Sequence, residues 1–353
     1  MTFAETLTQD AAVDTLLEML TYKRPHLSES EADWIARFIE PLQHHGNTTE
    51  YRVDGFGNIY LHVGHKPTRT LFTAHTDTVH RTAGGQAISY DAECELVFKP
   101  SGTEDTECLG ADDGAGCAIL CEMIRAGVPG WYAFFRGEER GGLGSTYLVK
   151  HDPKFLEQFD RAIAFDRKDN CSVISHQGWD RCASDTFAEE LARQLNRCGE
   201  VDTYKPDDGG VFTDTANFTG IIPECTNVSV GYGSEHTAGE YLDVASWKVL
   251  RNAVLLIDWE ALPTKRDPSV QDSMFDAGLY NYRYSWTNKP AFSSFPTTEE
   301  IMAMRYHELV SWVKRAAPED VAEILCDLVD RLESAEDALH YDGQETPTEE
   351  EWN

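Results

Sequence analysis

Basic residues are scarce in this sequence, and long apolar runs are missing. The 353 residues include 30 lysines and arginines against 61 aspartates and glutamates, a formal net charge of −31. This much negative charge repels phosphate backbones, so we expect no nucleic-acid partner. No apolar run approaches the roughly 18 to 20 residues that a spanning helix needs, so we expect no membrane partner either.

The sequence also lacks the marks of an exported or disulfide-linked protein. Residues 1–10 show no cationic start followed by an apolar stretch, so we expect no signal peptide. The nine cysteines include no CxxC pair, and Cys117 and Cys121 lie four residues apart beside apolar neighbours, a spacing typical of buried thiols. Both features favour a reducing, cytoplasmic location.

Hydrophobic residues make up 41% of the chain, enough for a packed core. The nearly unbroken apolar runs at residues 131–135 and 161–165 are typical of strands that are buried on both faces. Helical spacing follows at residues 114–124, 187–195 and 244–256. Strands that alternate with helices predict an α/β fold with a mostly parallel central sheet flanked by helices.

The sequence pattern changes after about Pro263. Thr297 and Glu300 have the spacing of a capping box, and the apolar positions after them predict two amphipathic helices separated at Pro318. We therefore divide the chain into a core of residues 1–262, a C-terminal helical hairpin at 263–340 and an acidic tail at 341–353. The hairpin is a candidate for forming a homo-oligomer, for covering a site or for bracing the core.

Five short segments place a histidine or a carboxylate directly after a predicted strand or before a predicted helix. In an open α/β sheet, ligands bind at the carboxyl ends of the strands, so these side chains are expected to meet at one edge. The segments are His75-Thr76-Asp77, residues 110–116 with Asp112 and Asp113, Gly137-Glu138-Glu139, Asp166-Arg167, and residues 234–237 with His236.

Imidazole and carboxylate ligands together suit zinc. Two histidines and three carboxylates are too many for one tetrahedral ion, but they suit two ions that share a bridging carboxylate. A single histidine beside a strand is more often structural, and an acidic pair is usually solvated. Glu138 and Glu139, however, follow a strand of buried type, where acids are not expected without a partner.

With the turn Asp54-Gly55-Phe56-Gly57-Asn58, the order of these segments resembles the co-catalytic dinuclear zinc exopeptidases. This clan includes zinc aminopeptidases, peptidase T, zinc carboxypeptidases and amino-acid deacylases. The resemblance covers about residues 10–260. It implies a zinc-dependent metallohydrolase that cleaves a terminal amide bond of short peptides with a metal-activated water. Cobalt or manganese would be substitutes for the two zinc ions.

The resemblance also implies a role for each candidate ligand. His75 and Asp166 would bind one zinc ion, and Glu139 and His236 the other. Asp112 would bridge the two ions.

The resemblance implies roles in catalysis for two more residues. Glu138 would be the general base that moves a proton from the water to the leaving amine. Asp77 would form a hydrogen bond with the distal nitrogen of His75 and fix its tautomer. The peptide bond between Asp112 and Asp113 is expected to be cis, as in relatives.

The intervals between the candidate ligands indicate a branch of the clan. The stretch from Asp166 to His236 is too short for a lid domain, and the stretch from His75 to Asp112 is too short for the extra domain of tetrahedral aminopeptidases. The spacing therefore resembles the lidless, single-domain aminopeptidases, while residues 109–116 are closer to peptidase T.

Without a lid, other residues must hold the substrate. Arg167, Lys168 and Arg181 are candidates for gripping a substrate carboxylate, although a salt-bridge role is commoner for such an arginine. Asp214 is a candidate for lining the pocket, with a plain turn role as the alternative.

Three hypotheses about the function remain open. The first is an aminopeptidase, because a carboxylate-rich metal site suits a free α-amine. The second is a carboxypeptidase or N-acyl amino-acid deacylase with the same site, so the substrate is a short peptide or an N-acyl amino acid. The third is a catalytically silent binding scaffold, which the complete ligand set disfavours.

Overall fold

The computed structural model describes residues 8–270, except residues 101, 103, 104 and 179. The acidic tail and nearly all of the C-terminal hairpin lie outside the described residues and stay predictions. None of the helices in the described ranges is both long enough and apolar enough to cross a membrane. The eight cysteines within these ranges are free thiols, and Cys117 and Cys121 are buried as expected.

Four of the seven α-helices in the described residues begin at a side-chain cap. Asp10 accepts hydrogen bonds from the main-chain N–H groups of Ala12 and Val13, and the Ser28 hydroxyl accepts one from Glu31. In chain order the helices are α1 (Ala11–Met19), α2 (Glu29–Phe38), α3 (Ala111–Ala126), α4 (Leu143–His151), α5 (Pro153–Leu156), α6 (Asp185–Gly199) and α7 (Val244–Val254).

The strands include all of the predicted ones, together with several short strands that lack a clear sequence signal. In chain order they are β1 (Tyr22–Lys23), β2 (Thr48–Val53), β3 (Ile59–Val63), β4 (Thr70–His75), β5 (Gly84–Gly85), β6 (Ser89–Asp91), β7 (Leu96–Phe98), β8 (Gly130–Phe135), β9 (Arg161–Arg167), β10 (Ser172–Ile174), β11 (His176–Gln177), β12 (Asp180–Arg181), β13 (Lys205–Asp207), β14 (Glu224–Ser229), β15 (Tyr232–Gly233) and β16 (Tyr241–Asp243).

An eight-stranded sheet with the order β13-β10-β14-β9-β4-β8-β3-β2 forms the centre of the fold. The four central strands β14, β9, β4 and β8 run parallel, whereas β3 and β2 join antiparallel at one edge. The prediction of an α/β fold with a largely parallel sheet flanked by helices is confirmed, with an antiparallel hairpin added at this edge.

Burial explains the apolar runs of two central strands, β8 and β9. Every residue of β8 and residues 161–165 of β9 are buried, and aromatic side chains fill the space beside the neighbouring strand β4, which is also buried throughout. Phe72 lies 5.1 Å from Tyr132 and 4.9 Å from Trp259, measured between ring centroids. Helix α3 packs against β4 and β9, so the carboxyl ends of these strands and the start of α3 meet at one edge.

Candidate metal centre

The first cluster of candidate ligands lies at the carboxyl ends of β4 and β9. The His75 Nε2 atom is 3.1 Å from Asp112 Oδ1 and 3.5 Å from Asp166 Oδ1. Hydroxyl groups of Thr213 and Tyr232 donate to the two oxygens of Asp166, at 2.6 and 3.1 Å. One nitrogen and two carboxylate oxygens thus converge within 4.8 Å of one another, close enough to share an ion.

The second cluster joins Asp112 to Glu139 and His236. The His236 Nε2 atom lies 3.1 Å from Asp112 Oδ2 and 3.1 Å from Glu139 Oε1. His236 and nearby Ser234 have φ angles of +63° and +55°, a region that few residues other than glycine occupy. The loop that follows β15 is therefore held in an uncommon conformation that turns this imidazole toward the carboxylates.

Asp112 belongs to both clusters through different oxygens. Its Oδ1 faces His75 and its Oδ2 faces His236, each at 3.1 Å. Asp112 and Asp113 have non-helical backbone angles at the start of α3, and the peptide bond between them is cis, as the resemblance implied. A carboxylate with one oxygen in each cluster has the arrangement that a bridging ligand requires.

Three ionisable side chains at this edge of the sheet have raised pKa values. Burial, reinforced by the carboxylates of Asp166, Asp214 and Asp112, raises the pKa of Glu138 to about 10. Burial and the Asp112 carboxylate also raise the pKa of Glu139 above its ordinary value. Hydrogen bonds to Asp112 and Glu139 raise the pKa of His236 to about 11.

Each cluster passes a simple test of fit for a zinc-type ion. It offers one imidazole nitrogen and two carboxylate oxygens, a donor set that zinc accepts, and it leaves positions for water or substrate. The crowding of buried carboxylates, which raises their pKa values, is the arrangement that a divalent cation relieves. The residues present therefore fit two metal ions.

Asp77 supports the site in a way that the sequence indicated only in part. The His75 Nδ1 atom lies 3.0 Å from the main-chain oxygen of Asp77 and 3.7 Å from its carboxylate. The main-chain oxygen is therefore the nearer partner of the imidazole. The carboxylate accepts hydrogen bonds from the main-chain N–H groups of Gly137 and Glu138, at 2.8 and 3.1 Å.

Glu240 and Asp113 are supporting residues that sequence reasoning missed. The Glu240 carboxylate accepts three main-chain hydrogen bonds, from Leu109, Gly110 and Asp112, at 2.7, 2.8 and 3.0 Å. Asp113 accepts one at 3.1 Å from the main-chain N–H of His75. Asp113 could have been suspected from the adjacent acidic pair, but no local pattern marks Glu240 because its partners are distant in sequence.

Gly116 shows how closely α3 approaches the end of β9. A Cβ atom on this residue would collide with the main-chain oxygen of Phe165 and with the Asp113 carboxylate. The glycine therefore allows the helix start to lie directly against the strand that carries Asp166. This close approach brings Asp112 within reach of both histidines.

Of the four candidate substrate-binding residues, Arg167 and Lys168 line the cleft beside the candidate ligands, whereas Arg181 and Asp214 do not. Arg181 pairs with Asp185 at 2.7 Å and does not line the cleft beside the candidate ligands. Asp214 is 2% exposed, and burial together with nearby carboxylates raises its pKa to about 7. Its charge acts on Glu138, but it does not line the cleft, so the geometry favours neither Arg181 nor Asp214 as a direct substrate contact.

A cleft of about 290 Å³ opens onto the two clusters. Its floor includes candidate ligands and the predicted base, and its walls come from β9, β10, β14 and the loop before Thr213. The lining residues are Asp112, Glu138, Asp166, Arg167, Lys168, Ile174, Gln177, Gly210, Val211, Phe212, Asn227, Tyr232, Glu235 and His236.

Two histidines lie on either side of a shared aspartate at the strand ends of an α/β sheet. This is the arrangement implied by the resemblance to the co-catalytic zinc exopeptidases. Residues 58–257 match the sequence profile of peptidase family M28. The chain therefore belongs to this family, and it is a metal-dependent peptidase. The resemblance inferred from the motifs is confirmed.

Solved structures share the fold at low sequence identity. A tripeptidase from Staphylococcus aureus is 14% identical, with 69% of this chain and 96% of that chain covered and a TM-score of 0.55. The aminopeptidase PepT from Bacillus cereus is 16% identical, with 70% and 97% covered and a TM-score of 0.53. An aminopeptidase from the archaeon Desulfurococcus kamchatkensis is 13% identical, with 72% and 96% covered and a TM-score of 0.52. Curated protein sequences gave no match.

Proposed function

We propose that this protein is a dinuclear zinc aminopeptidase that removes the N-terminal residue of short peptides. In this proposal, His75 and Asp166 bind one zinc ion, and Glu139 and His236 bind the other. The observation that carries the proposal is the position of Asp112, whose two oxygens each face a different histidine at 3.1 Å. Cobalt or manganese would be accepted by the same ligands.

The two ions, when bound, supply a Lewis acid that polarises the scissile carbonyl and acidifies water. Glu138 accepts the proton of the attacking water and delivers it to the nitrogen of the leaving amine, so that one water splits one amide into a carboxylate and an amine. Its carboxylate lies 3.9 Å from His75 Nε2 and lines the cleft, and both observations support a role as the base.

The ionisation of Glu138 also fits this role. The neighbouring carboxylates that raise its pKa are the proposed metal ligands and Asp214. Since divalent cations would compensate the ligands' charge, the pKa of Glu138 would fall toward the neutral range, where a base that also acts as an acid is most effective. Asp77 holds the turn that carries this base.

The choice of an aminopeptidase rests on the structural neighbours and not on the charge of the cleft, because bound divalent ions would compensate the carboxylates that bind them. The structural neighbours from Bacillus cereus and Desulfurococcus kamchatkensis are described as aminopeptidases, which agrees with this assignment. The alternative is a carboxypeptidase or N-acyl amino-acid deacylase, and a silent scaffold is disfavoured because the whole ligand set is present.

Several expectations about the whole chain remain part of the proposal. The catalytic domain is assigned to residues 1–262 without a lid insertion, and the family match falls inside it. The cytoplasmic location, self-association and the role of the C-terminal hairpin stay predictions.

Metal dependence is tested by stripping the full-length protein with a chelator and adding zinc back. Hydrolysis of a free tripeptide should vanish on stripping and return as about two equivalents of zinc per chain are bound. Hydrolysis that survives in the stripped protein would reject the metal-dependent mechanism. Saturation at one equivalent would reject the dinuclear centre.

A further inference from the structure

The cleft beside the candidate metal centre is small. Its volume of about 290 Å³ lies near the lower end of the range of roughly 300 to 1,000 Å³ found for ligand sites. A cleft of this size holds two or three residues of a substrate. The far end of such a substrate would lie close to the walls of the cleft.

Two cations, Arg167 and Lys168, line a cleft whose other charged groups are acids and one histidine. Asp112, Glu138 and Asp166 belong to the proposed catalytic centre. The remaining acid, Glu235, is paired with Lys168, at 2.9 Å between Nζ and Oε1. The charge of Lys168 is therefore largely matched.

The positive charge of Arg167 is less fully neutralised by neighbouring groups. Its Nη2 atom donates to the main-chain oxygen of Gly209 at 3.2 Å and lies 3.8 Å from Asp207, beyond hydrogen-bonding distance. The Asp207 carboxylate instead accepts hydrogen bonds from Ser172 and from the main-chain N–H of Gly209, at 2.6 and 2.8 Å. Within the described residues, both contacts of the guanidinium go through Nη2, so its other nitrogens remain for a ligand.

The position of Arg167 is fixed from both ends. Its main chain follows Asp166 on β9 and accepts a hydrogen bond from Val230 at 2.8 Å. Its guanidinium is tied to Gly209, next to Gly210, Val211 and Phe212 on the rim of the cleft. The side chain is 18% exposed, so a bound anion would be only partly screened by water.

We propose that Arg167 binds a carboxylate of the substrate, and that the enzyme therefore selects dipeptides and tripeptides that carry this group on the leaving side. The proposal rests on the proposed aminopeptidase function. The α-ammonium group faces the acids of the cleft floor, the scissile amide lies at the metal centre, and the carboxylate meets the guanidinium on the rim. Lys168 adds positive charge beside it. The carboxylate is either the C-terminal one or that of an acidic side chain.

The experiment compares three substrates on the zinc-loaded, full-length protein: Ala-Ala, its C-terminal amide, and the amide of Ala-Glu. For the wild type, we expect kcat/KM for Ala-Ala to exceed that for the amide by about tenfold or more, a typical factor for a charge-assisted contact. Equal kcat/KM values for the Ala-Glu amide and Ala-Ala would show that a side-chain carboxylate can replace the C-terminal one. A preference for the Ala-Glu amide over both other substrates would show that only the side-chain carboxylate is bound.

Variants assign the preference to the guanidinium. Arg167→Met should abolish the preference by raising KM for Ala-Ala while kcat and the amide reaction stay nearly unchanged. Arg167→Lys should restore part of it, because the charge returns without the planar fork. Arg193→Met, which removes an exposed arginine that is paired with Glu190, is the matched control and should behave as the wild type.

A binding measurement separates this proposal from the proposed function. Calorimetry with zinc-loaded Glu138→Gln protein should show Ala-Ala binding that weakens about tenfold when Arg167→Met is added. If no peptide is cleaved by the wild type, the proposed function fails, and the calorimetry still decides whether Arg167 binds carboxylates. Equal use of all three substrates, or a preference for a carboxylate that survives Arg167→Met, would overturn the inference while the peptidase function stands.

Discussion

The carboxylate of Asp77 accepts a hydrogen bond from the main-chain N–H of Glu138 at 3.1 Å. The main-chain oxygen of the same aspartate lies 3.0 Å from His75 Nδ1, and its side chain is fully buried. One residue therefore positions both an imidazole of the proposed metal centre and the turn that carries the proposed base. Loss of either contact should alter the reaction without altering the fold.

Asp77→Asn tests this double role. We expect kcat to fall about 10- to 100-fold, because the amide is a weaker acceptor for the two N–H groups of the turn. Circular dichroism and kinetics measure fold and rate. Asp91→Asn, at the end of β6, where the carboxylate also accepts two main-chain N–H groups, is the control. A full rate in Asp77→Asn would show that the carboxylate does not position the turn.

Glu138→Gln tests the general base. The amide keeps the size of the side chain but cannot accept a proton, so we expect zinc content to stay normal and kcat to fall about 10²- to 10⁴-fold. Metal analysis and initial rates on a free tripeptide measure the two quantities. Retained turnover would remove Glu138 from this role.

Asp112→Ala tests the bridge between the two clusters. Asp112 has one oxygen in each cluster, so removal of its side chain should release both ions. His236→Ala removes a ligand of one cluster only and should release one ion. Dialysis followed by elemental analysis gives the zinc content per chain. Two ions retained in Asp112→Ala would reject the bridging assignment.

Glu240→Gln tests the support beneath Asp112. The carboxylate accepts three main-chain N–H groups, whereas the amide NH₂ would face at least one of these donors. We expect zinc affinity to fall about 10- to 100-fold in a folded protein, as for other residues that orient metal ligands. A competition titration with a chelator measures the affinity. Glu190→Gln, on the exposed face of α6, serves as the control, and equal affinities would exclude the role.

Zinc binding should depend on pH. Hydrogen bonds to Asp112 and Glu139 raise the pKa of His236 to about 11. Burial alone would lower the pKa of His75, but the carboxylates of Asp166 and Asp112 raise it well above its ordinary value. In the metal-free protein both imidazoles therefore hold protons at neutral pH, and zinc must displace them.

It follows that zinc affinity rises with pH, because raising the pH removes the competing protons. Calorimetry in buffers of different ionisation enthalpy should detect proton release over about pH 6 to 8. Uptake without proton release would contradict the proposed coordination by these histidines.

The sequence predicted the helices and strands that local residue patterns determine. The buried strands β8 and β9 were predicted from their apolar runs, and helical spacing marked α3, α6 and α7. Short strands such as β15 and β16 were missed, because a strand of two or three residues has too few positions to show alternation. The antiparallel pairing of β3 with β8 was also missed, since strand direction depends on distant partners.

The candidate ligands were predictable because each directly follows a strand or starts a helix. Glu240 was not predictable, because its supporting role depends on hydrogen bonds from three N–H groups that lie about 130 residues away along the chain. Arg181 was named as a candidate because it follows Asp166 in the sequence, yet it pairs with Asp185, four residues on. Side-chain contacts decide which of several nearby cations reaches a site, and spacing alone does not specify them.

Product analysis by mass spectrometry tests the central claim most directly. Zinc-loaded protein and Glu138→Gln would be incubated with a mixture of free and N-acetylated short peptides. The proposed aminopeptidase should remove residues one at a time from the free N-termini, leave the acetylated peptides intact, and require Glu138. Loss of C-terminal residues or of acetyl groups, or no cleavage of any peptide, would contradict it.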